Sequence, residues 1–225
     1  MISSILPVAL LALQSASFAL GGVIQARGDL PTPTPKEMRE RMKEWDSDDY
    51  EYVFYLGKES QGVAESWSED RGLGTMTLWE TDRQLKDETL WYDPNKAWRL
   101  WNEVFTEQAR GTAFVFWTDS GKIPRIDSWF FQIELPILKE RAKGPGHDLE
   151  ELIQINARNV KEIHQILPVD VNDYKDKQCA WHGTAPECDA KCPDGTKKIT
   201  ESKYGDDIDG KCEEEGRKVF CCKKD

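Results

Sequence analysis

All six cysteines of this 225-residue chain lie from position 179 onward: Cys179, Cys188, Cys192, Cys212, Cys221 and Cys222. This segregation constrains the fold more than any other feature. Everything before Cys179 must be held by a hydrophobic core alone. The last segment is short and polar, and must be held by cross-links. An even number of cysteines so close together in an exported chain implies three disulfides, with the pairing left open. Adjacent Cys221 and Cys222 are expected to take different partners. Cys188-x3-Cys192 has no second pair at metal-ligand spacing, so no structural zinc is expected.

Export is suggested at the other end. Residues 1–19, MISSILPVALLALQSASFA, hold an apolar run too short to span a bilayer, with small Ser17 and Ala19 where a signal peptidase would cut. The reading is a signal peptide (1–19), then a flexible leader (20–37) that contains the extended PTPTP segment. The expected location is secreted, extracellular or at the cell surface. No later apolar segment reaches membrane length. The net charge of −11 comes without a basic patch of useful size, which argues against nucleic acid and anionic membranes as partners. Nine tryptophans and 39% hydrophobic residues are enough for a substantial core.

Between leader and tail the chain alternates. Lys36 to Trp45 is expected to form a short surface helix, with methionines at helical spacing. Tyr50 to Leu56 (YEYVFYL) reads as a first strand, and Ser60 as the cap of a helix running past Trp67 to about Asp70. Thr75 to Trp79 reads as a short strand. A helix opens at Asp93-Pro94, places Trp98, Trp101, Val104 and Phe105 near one face, and ends at Gly111. Thr112 to Trp117 (TAFVFW) is a buried-strand candidate. Trp129 to Leu135 is expected to be a strand stopped by Pro136, with Glu134 on its more polar face near the carboxyl end. Asp148 to Arg158 shows helical spacing, and Val160 to Leu167 reads as a last strand. The expected fold class is α/β: a mostly parallel sheet flanked by helices (38–169), joined by a polar linker to a small disulfide-rich module (178–225).

The familiar catalytic and phosphate-binding motifs are missing: there is no GxGxxG, GxSxG, HExxH or P-loop. His147, His164 and His182 are far apart in the sequence and read as structural or solvated. Asp206, Asp207 and Asp209 lack the closing glutamate of a calcium loop and read as a solvated turn. What remains is Glu134, a carboxylate set among aromatic and aliphatic residues, and the tryptophan-rich helix before it.

Those residues resemble a known family. Trp98-x3-Asn102-x2-Phe105-Thr106-Glu107 is similar to the helix signature W-x3-S-x2-F-A-E of the ADP-ribosyl cyclases, which include NAD+ glycohydrolases and cyclic-ADP-ribose hydrolases. Ser128-Trp129-Phe130, followed by Glu134, is similar to that family's S-x-F-x3-E. The resemblance implies that Glu134 is the catalytic carboxylate that holds the ribose hydroxyls and stabilises the cation left when nicotinamide departs. It implies that Trp98 walls the nicotinamide ring and that Asn102 stands where the family has a serine under the ribose. Ser128, Trp129 and Phe130 would form the diphosphate-contacting turn. Through weaker similarity, Tyr55 would be a second aromatic wall, Lys58 would face the phosphates and Glu80 would be a second pocket acid. Arg125 and Lys122 are basic groups near enough in sequence to assist. The family has cysteines in this domain; this chain has none before Cys179.

The chemistry needs these residue types. Nicotinamide leaves as a neutral molecule, so little acid help is required, but the ribose cation needs a carboxylate. The cationic ring needs aromatic faces, and the diphosphate needs N–H or basic groups. The implied activity is cleavage of NAD+ to nicotinamide and ADP-ribose, with a minor cyclase branch. NAD+ is the substrate, and no other cofactor and no metal is expected. The resemblance leaves NADP+ and a homodimer open. The tail resembles cysteine-rich modules at the ends of secreted fungal proteins. The alternative reading is a non-enzymatic, effector-like binding protein that uses this tail for surface or glycan attachment.

Overall fold

Two strand sequences dominate the interior: Tyr52-Val53-Phe54 and Ala113-Phe114-Val115-Phe116 are wholly buried. Apolar side chains point both ways from such strands, so both faces of their sheet must be covered. The computed structural model describes residues 32–43, 51–71, 75–77, 94–118, 128–143, 148–213 and 215–224, all within one compact unit, Pro31–Asp225. The fold is mixed α/β.

A five-stranded sheet has the order β2-β1-β3-β4-β5. Its strands are β1 (Glu51–Tyr55), β2 (Thr75–Thr77), β3 (Gly111–Trp117), β4 (Leu149–Asn156) and β5 (Asn159–Leu167). β1 runs parallel to both β2 and β3, and β3 runs parallel to β4. β5 returns antiparallel at the edge, so the sheet is mostly parallel, as expected.

Helices α1 (Pro35–Met42) and α3 (Pro94–Gln108) cover one face, followed by a π-helical turn (Phe130–Glu134) that runs into α4 (Leu135–Arg141). Their core includes Met38, Met42, Trp101, Phe105, Phe130 and Leu138, packed on Tyr52, Phe54 and Val115. α1 is therefore not a loose surface helix. Its methionines are core residues, and Thr34 and Glu37 form a reciprocal capping box at its start.

Helix α2 (Gly57–Arg71) covers part of the other face through Ala64 and Trp67. The rest of that face is covered by the cysteine-rich segment. Its strands β6 (Cys179–His182), β7 (Thr196–Ser202) and β8 (Lys218–Lys223) form an antiparallel sheet of order β6-β8-β7. The three disulfides are Cys179–Cys222, Cys188–Cys212 and Cys192–Cys221, with the adjacent cysteines on different partners. Tyr204 and Ile208, between β7 and β8, share a core with Val53, Phe114 and Ile153.

Three local expectations need correction. Residues 129–135 are not a strand. Their alternation Trp129, Phe131, Ile133, Leu135 mimics a period of two, but the buried residues are Phe130, Glu134 and Leu138, every fourth residue of a helical face. Pro136 lies in the first turn of α4 rather than ending a strand. A proline ring crowds the carbonyl four residues back, and the wider π turn just before it relieves that contact. Residues 148–158 are not a helix but β4, whose Leu149 and Glu151 to Asn156 are all buried. A central strand buried on both faces has no alternation to read, so its leucines and isoleucines imitate helical spacing. Finally, α2 begins at Gly57 rather than at a Ser60 cap, and Ser60 is buried inside the helix.

Candidate active site

The chain leaves β1 through α2 to the edge strand β2, then crosses back to β3 on the other side of β1. β1 leads into α2 on one face of the sheet and β3 leads on to the π turn and α4 on the other, so the chain's paths out of these two neighbouring strands diverge beyond their carboxyl ends. In open α/β sheets that divergence is where ligands sit. A cavity of about 190 Å³ lies there, lined by Phe54, Tyr55, Leu56 and Gly57 from the β1–α2 turn, Trp98 and Asn102 from α3, and Ser128, Trp129, Phe130 and Glu134.

Each wall is fixed by local structure. Gly57 takes φ +77, a conformation open to glycine and strained for other residues, and this allows β1 to turn directly into α2. The Leu56 N–H donates to the Phe116 carbonyl at 2.8 Å and holds the strand ends together. On α3, Asn102 lies one turn after Trp98, so both face the cavity. Asn102 Nδ2 donates to the Trp98 carbonyl at 2.8 Å, and Thr106 Oγ1 donates to the Asn102 carbonyl at 2.6 Å. The first bond orients the side-chain amide and leaves its Oδ1 without a partner among the described residues. Trp129 is 37% exposed at the mouth, whereas Phe130 packs inward against Phe54 and Trp117.

The π turn places Glu134 at the cavity floor. Glu134 is 6% exposed, and no hydrogen bond or ion pair reaches its carboxylate from any described residue. Burial alone pushes its pKa up from 4.5 to about 8. Glu151 is 2% exposed and also raised by burial, but it accepts from Thr112 Oγ1 (3.0 Å), Gln165 Nε2 (3.2 Å), the Lys203 N–H (3.1 Å) and the Ser202 side chain. Of these two buried carboxylates, one is surrounded by donors. The other faces an aromatic-lined space and accepts from none of the described residues, the environment in which a cationic ligand gains most from a carboxylate.

Among the site residues expected from sequence, the fold brings together Tyr55, Trp98, Asn102, Ser128, Trp129, Phe130 and Glu134. Lys58 is exposed in the first turn of α2, beside the cavity but not in its lining. Glu80, Arg125 and Lys122 fall outside the described residues, as does His147. His164 lies on β5, 3.9 Å from Glu162, and His182 ends β6; neither lines the cavity. Asp207 accepts the Asp209 N–H at 3.1 Å, a local turn contact. Sequence reading missed Phe54, Leu56 and Gly57 as wall residues. A glycine directly after an apolar strand was the available signal for them.

Trp98 is the aromatic residue of α3 in the cavity lining, and its replacement should be selective. Trp98→Leu is expected to weaken binding of an N-alkylpyridinium ligand about tenfold, the scale of one desolvated cation–π contact, while the melting temperature moves little. Calorimetric titration and thermal unfolding would check both. An unchanged affinity would remove Trp98 from the site.

No family model, curated protein or solved structure matches this chain, so the geometry of this cavity is what a functional reading has to stand on.

Proposed function

We propose that this chain is a secreted NAD+ glycohydrolase that cleaves NAD+ to nicotinamide and ADP-ribose. The observation that carries the reading is Glu134: a buried carboxylate with no partner among the described residues, at the floor of an aromatic-lined cavity. In support of export, the chain has three disulfides and no described helix long and apolar enough to cross a membrane.

The steps follow from the residues present. Trp98 and Tyr55 offer aromatic faces to the pyridinium ring. Asn102 Oδ1 and Glu134 accept from the ribose hydroxyls. As the bond between ribose C1′ and the ring nitrogen breaks, its electron pair moves to the nitrogen and nicotinamide leaves neutral. The positive charge passes to the ribose, where the Glu134 carboxylate stabilises it in a site of low dielectric. Water adds to C1′ and releases a proton, giving ADP-ribose. The backbone N–H groups at the start of α2, beside Gly57, with Lys58 on the same turn, suit a diphosphate. Attack by the adenine nitrogen instead of water would give the minor cyclase branch, and the same pocket chemistry would accept NADP+.

The competing use of the molecule, attachment through the cysteine-rich segment, has weaker support. A wider depression of about 630 Å³ on that segment is lined by charges of both signs. Two of its cations are already engaged, Lys198 with Glu201 at 2.7 Å and Arg217 with Glu150 at 2.6 Å. Trp181, the residue most suited to stack on a sugar, packs instead on Phe220, with ring centroids 5.1 Å apart.

The proposal has a pH signature. The free protein must lose the Glu134 proton before it can stabilise a cation, so kcat/KM for NAD+ should rise with pH to a plateau above about 8. In the complex the pyridinium charge favours the carboxylate, so kcat should reach its plateau at lower pH. Initial rates of nicotinamide release between pH 5 and 9 would test this. A kcat/KM that falls across that range would contradict the assigned role.

A further inference from the structure

The segment between β7 and β8 reaches the cavity through the sheet. Cys212 closes it in two ways: the bridge to Cys188, and its own N–H donating to the Lys203 carbonyl at 2.9 Å. Within it, Tyr204 is fully buried, its ring edge-on to Phe114 at 5.4 Å. The Tyr204 hydroxyl donates to Glu51 Oε1 at 2.9 Å, and Lys211 pairs with the same oxygen. Ile208 joins the core that contains Val53. Ser202 and the Lys203 N–H meet Glu151 on β4. Glu51 is the first residue of β1, Val53 is its buried middle, and Phe54, Tyr55 and Leu56 are cavity wall. The segment therefore grips the strand whose far end builds the site.

That grip depends on the bridge. Residues 189–211 read DAKCPDGTKKITESKYGDDIDGK, a sequence with too few apolar residues to fold by burial alone. Cys188 and Cys212 are 1% and 4% exposed, so the bridge lies inside the packing it stabilises.

We infer that closure of the Cys188–Cys212 bridge is required for the cavity to form, so that the chain acquires its site only in an oxidising compartment. Closure removes two electrons and two protons from the two thiols, and a disulfide donor of that compartment takes them up and becomes two thiols. The functional half of this inference rests on the reading of the cavity as an NAD+-cleaving site. For such an activity the arrangement has a consequence: the chain is inert while it remains in the reducing compartment where it is made, and cannot consume that compartment's NAD+.

The test is amide hydrogen exchange at Leu56, whose N–H sits at the cavity edge, in the full chain. In Cys188→Ser/Cys212→Ser, Leu56 should exchange at least about tenfold faster than in the parent, with loss of nicotinamide release. In Cys179→Ser/Cys222→Ser the change should stay within about threefold, because Cys179 and Cys222 are direct ladder partners on β6 and β8 and stay adjacent without a bond. Failure of the first variant alone to fold is the same result at its limit. If neither folds, Ile208→Ala with all bridges intact decides, and must also speed Leu56. Parental protection at Leu56 in Cys188→Ser/Cys212→Ser, or in Ile208→Ala where that variant decides, would overturn the inference. A parent protein that releases no nicotinamide would instead defeat the functional reading, and the exchange comparison would still settle the structural one.

Discussion

Glu134→Gln should remove nearly all turnover and, above neutral pH, make the protein more stable. The amide keeps the shape of the carboxyl but cannot take up negative charge. An electrostatic stabiliser of this kind contributes about 3–4 kcal/mol to the barrier, so kcat should fall by roughly 200- to 900-fold. The stability effect has a definite sign. In the folded chain Glu134 holds its proton up to about pH 8, whereas in the unfolded chain it releases it near 4.5. Between those values the folded state binds more protons, so rising pH removes stability. The loss begins near 4.5 and is complete above about 8, with an upper limit on the order of 5 kcal/mol. The glutamine variant does not titrate and escapes this loss. Denaturant unfolding at pH 5 and pH 9 would show the two proteins close together at pH 5 and the variant ahead at pH 9. Equal losses in both proteins would mean that the carboxyl is not held neutral by burial. Retained activity would mean that it is not the catalytic group.

Glu151 should behave in the opposite way. Its carboxylate satisfies Thr112 on β3, Gln165 on β5, and Ser202 and the Lys203 N–H from the cysteine-rich segment. Glu151→Leu takes the acceptor from Thr112 Oγ1, the Ser202 side chain and the Lys203 N–H, and leaves Gln165 Nε2 its bond to the Glu201 carbonyl at 2.8 Å. The expected cost is roughly 3–5 kcal/mol, the range for breaking a buried charged network by removing one partner. Glu151→Gln keeps one acceptor oxygen but turns an NH2 toward donors, and should cost about 1–2 kcal/mol. A change below about 1 kcal/mol in Glu151→Leu would show that the segment does not depend on this contact. The two glutamates are thus predicted to differ in kind: removing the carboxyl with no partner among the described residues costs function and adds stability, and removing the satisfied one costs stability.

Much of this was legible in the sequence, for identifiable reasons. β1 and β3 are rich in aromatic and β-branched residues, and α3 has a proline in its first turn and ends before a glycine with φ +58. The cysteine spacing announced three bridges. Where reading failed, two periods competed. Trp129 to Leu135 fits an alternating strand as well as a helix, and only packing against Phe54 and Trp117 shows that Phe130 and Glu134 point the same way. β4 lost its alternation because both its faces are covered, one of them by a segment far along the chain. That cover was the least legible part. Tyr204 and Ile208 sit in a run of charged and small residues, and nothing local marks them as core. Seven residues named from the sequence, Tyr55, Trp98, Asn102, Ser128, Trp129, Phe130 and Glu134, line one cavity even though the element carrying Glu134 was read as a strand. The four-residue spacing from Phe130 to Glu134 puts both residues on one face of a strand and also on one face of a helix.

The most direct measurement is incubation of the purified, disulfide-bonded protein with NAD+, with the products separated by chromatography. The account predicts nicotinamide and ADP-ribose in equal amounts, with at most a small cyclic ADP-ribose peak, and no products from Glu134→Gln. Intact NAD+ across pH 5 to 9, with and without added calcium, from a protein shown to be folded would contradict it and leave Glu134 a buried acid without this role.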